Sequence, residues 1–261
     1  MDKLQTCMAS SAHQIHDAMQ AVSRLRQQHL ADPSLARASA DIKRFQARRF
    51  QVTYTDLLHS QRYKPAASFF LNELYADKDY AVRDQQFARI ATSIAKIFPQ
   101  AVLNTAAALA EVHALTEQLD DLMAIQWLAD ISANPASPDC ARYIRCWRLV
   151  ADAAARQRQL EVVLLLGQEL DQLTRKPGLR TLLKLMRPAA AAAGLSALQH
   201  FVEAGFDAFA NMRGADEFLE MIQQRETEIN RCLFEDEMGA CETKLTHLLL
   251  PATSPPTNAP Y

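Results

Sequence analysis

Apolar residues recur along this chain at spacings of three and four, and nowhere do they alternate at a period of two for long enough to make a strand. Tyr80, Phe87, Ile90, Ile94 and Ile97 keep the helical rhythm up to Pro99, and Leu198, Phe201, Val202, Phe206 and Phe209 repeat it. Residues three or four apart share one face of a helix, whereas strand residues share a face every second position. Glycine usage points the same way. There are six glycines in 261 residues, and a sheet protein of this length needs more for its turns. The chain is therefore expected to be all-α, a single multi-helix, bundle-like domain of roughly eight to ten helices.

Proline and glycine punctuate the pattern. A polar, Gln-rich helix is expected from about Ser10 to Leu30, inside an N-terminal segment spanning 1–31. Asp32-Pro33 reads as an N-cap followed by proline at the first helical position, and opens a helix to about Ser60. Lys64-Pro65 opens a short helix through Tyr75, Asp79 is a candidate cap for the next, and Pro99 ends that one. Gln100 to Ile131 reads as one long helix or two with a kink, its stripe made by Leu109, Val112, Leu115, Leu119, Leu122 and Met123. Asn134-Pro135-Ala136-Ser137-Pro138 is turn-rich. An internal boundary is expected near 132–138, within a helical domain spanning 32–238. Gly194 is expected to close a helix in the left-handed conformation. Ser196-Ala197-Leu198-Gln199 matches a capping box, and Gly205 is placed to let helices approach closely. Residues 239–261 are expected to be a C-terminal tail. Its end, Pro251 to Tyr261, carries four prolines and no periodicity, and is expected to be disordered.

The formal net charge of −2 excludes a globally basic nucleic-acid binder, but the charge is uneven. Residues 1–64 carry ten Lys/Arg against five Asp, and residues 201–261 carry four Lys/Arg against eleven Asp/Glu. Such ends either attract each other or are solvated faces; a basic surface for an acidic partner is the sharper reading. The cysteines Cys7, Cys140, Cys146, Cys232 and Cys241 are odd in number and show no CxxC spacing. They read as free thiols in a reducing compartment, so a cytoplasmic location is expected. The first thirty residues hold no apolar signal region. The longest apolar run, Val162 to Leu166, is far too short to span a bilayer.

Several chemistries lack their residues. Di-iron bundles use Glu-x-x-His pairs. No histidine here has Glu three positions before it, and only His59 has a carboxylate there, Asp56. His13 and His16 read as a solvated pair, and His113, beside an apolar stripe, as a hydrogen-bonded core or boundary residue rather than a haem ligand. No metal site and no cofactor is expected. Phosphate loops of the GxGxxG or GxxxxGK type and GxSxG elbows are absent. Arg37, Lys43, Arg44, Arg48 and Arg49 make one helix basic, but that helix also carries Phe45 and Phe50. A solvated face is favoured there over a phosphate-binding one, and nucleic acid is not an expected partner.

The densest constellation is Phe69-Phe70-Leu71-Asn72-Glu73-Leu74-Tyr75, followed by Lys78-Asp79-Tyr80 and Arg83-Asp84. Phe69, Phe70, Leu71 and Leu74 are expected in the core. Asn72, Glu73, Tyr75, Lys78, Asp79, Arg83 and Asp84 are the candidate binding residues. They read either as a network that locks the turn or as a polar rim around an aromatic pocket for a small ligand or partner peptide. Arg83 is expected to pair with Asp79, Asp84 or a neighbour across the core, and Asn72 to bond backbone in the adjoining turn.

These residues resemble the signature of an uncharacterised, proteobacterial, all-helical domain family of unknown function. Leu119-Asp120 with Met123-Ala124, Leu185-Met186-Arg187-Pro188-Ala189, Gly205-Phe206-Asp207-Ala208-Phe209 and Phe218-Leu219-Glu220-Met221-Ile222 extend the likeness over about residues 40–235. The chain departs from the pattern at Ala76, where glycine is usual. The resemblance implies no activity. Two classes of function stay open: a non-enzymatic binding or regulatory module, and a helical ligand carrier or enzyme with a buried pocket, on a haem-oxygenase-like or related bundle. A deep apolar pocket with buried polar side chains favours the second, and a solid core with one exposed apolar patch the first.

Overall fold

Asp32 and Pro33 begin a helix as their chemistry requires. The Asp32 carboxylate accepts from the amides of Ser34 at 2.9 Å and Leu35 at 3.1 Å, and Pro33 occupies the first turn. The computed structural model describes residues 2–73, 80–97 and 100–249, with side chains described for 11–73, 80–90 and 100–249. Among the described residues the chain is 88% helical with no strand, in thirteen helices rather than eight to ten. They are α1 (Asp2–Ala31), α2 (Pro33–Thr53), α3 (Thr55–His59), α4 (Lys64–Glu73), α5 (Ala81–Ile97), α6 (Gln100–Ala133) and α7 (Asp139–Val150). They continue as α8 (Ala153–Thr174), α9 (Leu179–Leu185), α10 (Arg187–Ala192), α11 (Ser196–Met212), α12 (Asp216–Glu235) and α13 (Met238–Leu249).

The extra helices have local causes. The helix expected to reach Ser60 breaks at Tyr54, whose fully buried ring leaves the helical conformation and whose hydroxyl donates to Glu226 at 2.7 Å. Where a tail is expected from residue 239, the chain forms α13. Cys241, Leu245 and Leu249, each four apart, bury one face against α2 and α7. The expected disorder of Pro251 to Tyr261, the expected Asp79 cap and the break at Pro99 lie outside the described residues.

Helix α6 is the spine, unbroken across the place where a kink was conceivable. It packs against α1, α2, α5, α7 and α8. It contributes to three apolar cores. One holds Phe50, Tyr54, Phe70, Phe209 and Phe218; a second Ile42, Met123, Trp127, Tyr143 and Trp147; a third Ile15, Met19, Phe69, Phe87 and Phe201. Its burial is carried largely by small side chains, Ala107, Ala108, Ala110, Ala114 and Ala124, besides Val112, Leu119 and Met123. Leu122 of the expected stripe is exposed instead. A helix surrounded on several sides has no single apolar face, and alanine lets its neighbours come close.

Two caps decide how the later helices sit. Gly194, at φ 68°, ends α10 as expected. The Leu195 amide reaches the Ala190 carbonyl at 2.7 Å and the Gly194 amide the Ala191 carbonyl at 3.0 Å, a Schellman pair. The capping box expected at Ser196 does not form. The orphan amide of Leu198 is capped from another helix, by Gln86 Oε1 of α5 at 2.9 Å, while Gln199 donates to Leu183 O and Glu203.

The oppositely charged ends meet. Arg49 of α2 makes a two-pronged bond to Glu226 of α12 at 2.9 and 3.0 Å. Arg62 reaches Glu217, and Arg225 reaches Asp56. Of the other basic residues of α2, Lys43 faces inward and pairs with a residue of α6, whereas Arg44 and Arg48 are exposed. Lys43 bonds Glu117, Arg44 bonds Asp41, and Arg48 donates to Leu249 O at 2.7 Å.

Candidate functional site

Of the sequence-derived set, the chain brings the side chains of Arg83 and Asp84 together, and Asn72 and Glu73 join them through backbone carbonyls. Asp84, on the first turn of α5, is buried, and its carboxylate collects donors from three helices. Arg83 gives Nε at 3.2 Å and Nη2 at 3.0 Å to Oδ1. Arg26 of α1 gives Nη2 at 2.9 Å, and His113 of α6 lies with Nε2 at 2.9 Å, both on Oδ2. Burial alone would raise this carboxyl. His113, Arg83 and Arg26 outweigh burial and hold it well below the usual carboxylate range. His113 is therefore a hydrogen-bonded boundary residue, with Tyr80 set edge-on to its ring.

Arg83 closes the turn in a second way. Its Nη1 donates to the Glu73 carbonyl at the end of α4 at 3.1 Å, so it satisfies one of the carbonyls a helix terminus leaves open. Its guanidinium is flanked by the rings of Tyr80 at 4.2 Å and Phe201 at 4.8 Å. Tyr80 in turn donates its hydroxyl to Asn72 O at 3.1 Å, and burial pushes that phenol up to about 12. Asn72 thus takes part through its backbone, while its side chain is exposed. Tyr75, Lys78 and Asp79, and the turn that Asn72 was expected to bond, lie outside the described residues.

The phenylalanines under this network open onto a cavity of about 360 Å³. Phe69, Phe70 and Phe87 form one side and Phe201, Gly205 and Phe206 of α11 another. Leucines of α8 and the short helices α9 and α10 complete it. Gly205 is required here. A β-carbon at that position would stand 2.9 Å from Phe69 Cζ, so its absence lets the ring lie on the backbone of α11. Among the described residues, only Thr105 and Gln199 bring polar side chains to the lining. Both are engaged, Thr105 with Glu169 at 2.8 Å and Gln199 with Leu183 O and Glu203 at 2.7 Å. The remaining wall is apolar.

Sequence reading found one wall and missed the other. Phe69, Phe70, Phe87 and Phe201 stand out as aromatics at helical spacing. Leu183, Met186 and Ala190 do not, because α9 and α10 are too short to show a period. The signal at that wall is the glycine at each end: Gly178, at φ 80°, precedes α9, and Gly194 follows α10. Elsewhere, the thiols fit burial better than reactivity. Desolvation pushes Cys146 and Cys241 up to about 12.

The family model of a domain of unknown function (DUF8198) matches residues 25–239. Neither the curated proteins nor the solved structures contain a match.

Proposed function

The chain belongs to this family of domains of unknown function, and from that premise we propose that it is a non-enzymatic binding module whose ligand is an apolar small molecule held beneath α9 and α10. The observation that carries this reading is the cavity of about 360 Å³. Ligand sites of small molecules fall in the range of about 300–1,000 Å³ and are mostly apolar. An apolar occupant would take the rings of Phe69, Phe87 and Phe201 and the leucines of α8 and α9 out of water, which favours its binding. Catalysis is disfavoured by the lining itself. Thr105 and Gln199 are both committed to protein partners, so among the described residues no group in the wall is left to move a proton or attack a substrate.

A regulatory role through a protein partner has one supporting observation. Leu182 and Leu185 of α9 and Val202 of α11 are exposed beside the same cavity, Leu185 at 72%. A ligand that shifts α9 would alter that apolar surface. The free thiols Cys140 and Cys146 support placement in the reducing cytoplasm.

The experiment is displacement of phenylnaphthylamine, a dye that fluoresces in apolar sites, by fatty acids and isoprenoids, together with mass spectrometry of an organic extract of the purified protein. Saturable dye binding that Ala106→Trp abolishes, in a variant with wild-type circular dichroism, is the expected result. Dye binding unaffected by that substitution, or absent from the wild type and unaccompanied by any extracted molecule, would overturn the reading.

A further inference from the structure

A second cleft, between α2, α7, α8 and α12, has opposite chemistry. It is small, about 50 Å³, and its floor is made of Arg49, Tyr143, Trp147 and Arg156. These four side chains are all buried, Arg49 and Trp147 at 7% exposure. Gln159, Glu226 and Asn230, half-exposed, stand at its mouth. Phe70 is common to this cleft and the apolar cavity.

Two donors in the floor find no acceptor among the described residues. Arg49 spends Nη1 and Nη2 on Glu226, but its Nε–H is buried without a partner. The indole Nε1–H of Trp147 is likewise buried without a partner. Buried donors are almost always paired, because leaving one unpaired forfeits its hydration. Two in one cleft ask for an acceptor from outside. Two neighbouring acceptors are already engaged. Glu226 is held by Arg49 and Tyr54, and the Gln159 carbonyl by Arg156 at 3.2 Å. Arg156 also stacks on the Trp147 ring at 3.8 Å. The charged side chains lining the cleft are two arginines and one glutamate, an excess of one positive charge. Phe50, Leu160, Val163 and Ile222 give the wall an apolar side, and Gln46, whose Nε2 is committed to Asp120, and Tyr54, whose hydroxyl is committed to Glu226, complete it.

We infer that this cleft binds the carboxylate of a short-chain organic acid, with the Arg49 Nε–H and the Trp147 Nε1–H as donors to its oxygens and the apolar wall against its few carbons. The size excludes a nucleotide or sugar phosphate, and the single excess charge suits a monoanion. A planar, two-oxygen acceptor matches donors that sit on planar groups. The inference is independent of the apolar cavity, since none of these donors lines it.

The chain carries two tryptophans, Trp127 and Trp147, so the indole region of a proton–nitrogen correlation spectrum reads the site directly. Trp127 lies outside the cleft and serves as the internal reference. Titration with propionate is expected to move the Trp147 indole resonance saturably, with a dissociation constant in the millimolar range, and to leave Trp127 in place. Chloride at equal ionic strength and propanol are expected to do neither. Trp147→Phe assigns the signal and is expected to weaken propionate binding at least tenfold, read from the line width of carbon-labelled propionate. Asn230→Leu, at the half-exposed mouth, is expected to abolish the shift with an unchanged melting temperature, and decides the matter if Trp147→Phe does not fold. A Trp147 signal that propionate does not shift, or that chloride shifts equally, would mean water alone fills the cleft or any anion does, and would overturn the inference.

Discussion

The Asp84 carboxylate and the Asp120 carboxylate are both buried, yet they respond to burial in opposite directions. Asp84 faces Arg83, Arg26 and His113 and is held in its charged form. Asp120 has Gln46 Nε2 at 2.9 Å, and burial pushes it up to about 6. Charged donors within hydrogen-bonding distance outweigh desolvation; a neutral amide does not. For Asp84's partner, Arg83→Ala should lower stability by about 3 kcal/mol, since Asp84 stays buried but keeps Arg26 and His113. Lys244→Ala removes an exposed pair with Glu228 and should cost under about 1 kcal/mol. Urea denaturation of the two variants checks the contrast, and equal losses would contradict it. Asp120 makes a pH prediction. Its folded pKa lies above an unfolded value of about 4, so the folded chain holds the proton more tightly. Its contribution therefore declines as pH rises from about 4 to about 6, by roughly 3 kcal/mol in all. Asp120→Asn keeps an acceptor for Gln46 and cannot titrate. The stability difference between variant and wild type should grow across that window, and a constant difference would show that Asp120 is not titrating there.

At the scale of elements, boundaries set by local chemistry were legible and boundaries set by distant side chains were not. Asp32-Pro33 and Gly194 act through their own backbone, so their positions followed from residue type. The break at Tyr54 depends on Glu226 in α12, and the cap of α11 depends on Gln86 in α5; neither partner is near in sequence. The turn after α6 is held in the same manner. Asp130, buried, accepts from Arg142 at 3.1 Å, from Arg145 at 2.8 Å and from Asn134 at 3.1 Å. Arg148 of α7 donates to Leu233 O at 2.8 Å and Asp236 O at 2.6 Å, and so fixes the end of α12 from which α13 departs; α13 itself is held by burial of Cys241, Leu245 and Leu249. Inside that contact Cys241 Sγ lies 2.6 Å from Cys232 Sγ. Because alkylation needs access to the sulfur and both side chains are buried, Cys232 and Cys241 should resist iodoacetamide at neutral pH in the folded chain and react together once α13 detaches. Alkylation followed by peptide mass spectrometry, with Leu245→Asp as the variant that weakens the buried face of α13, tests this. Rapid labelling of both cysteines in the wild type would show that α13 is not held.

For the whole molecule, occupancy of the apolar cavity should appear as stability. A ligand at a hundredfold its dissociation constant adds about 2.7 kcal/mol to the folded state. For a chain of this size that corresponds to a melting temperature higher by roughly 5–10 °C. Thermal unfolding with a saturating fatty acid or isoprenoid found by dye displacement is the measurement, and a ligand that binds without raising the transition would have to bind the unfolded chain as well. The far-ultraviolet circular dichroism signal should be that of helix in both states, since filling the cavity needs no change of secondary structure.

Periodicity three and four, few glycines and no alternating run were enough to determine an all-helical chain, because helix formation is decided by faces that repeat within a few residues. The same local logic marked the Phe69–Asp84 segment as apolar residues with a polar fringe, and left Arg83 to pair with Asp79, Asp84 or a neighbour across the core, of which the fold selects Asp84. It did not place Arg26 or His113 on that carboxylate, nor α9 and α10 over the phenylalanines. Nor did it set Trp147 and Arg49 on one cleft. Those groups lie up to about a hundred residues apart, and their meeting follows from how alanine-faced α6 lets its neighbours pack. Side-chain contacts across helices have no period to read, since they are set by the packing of whole faces, and cavities are what that packing leaves unfilled.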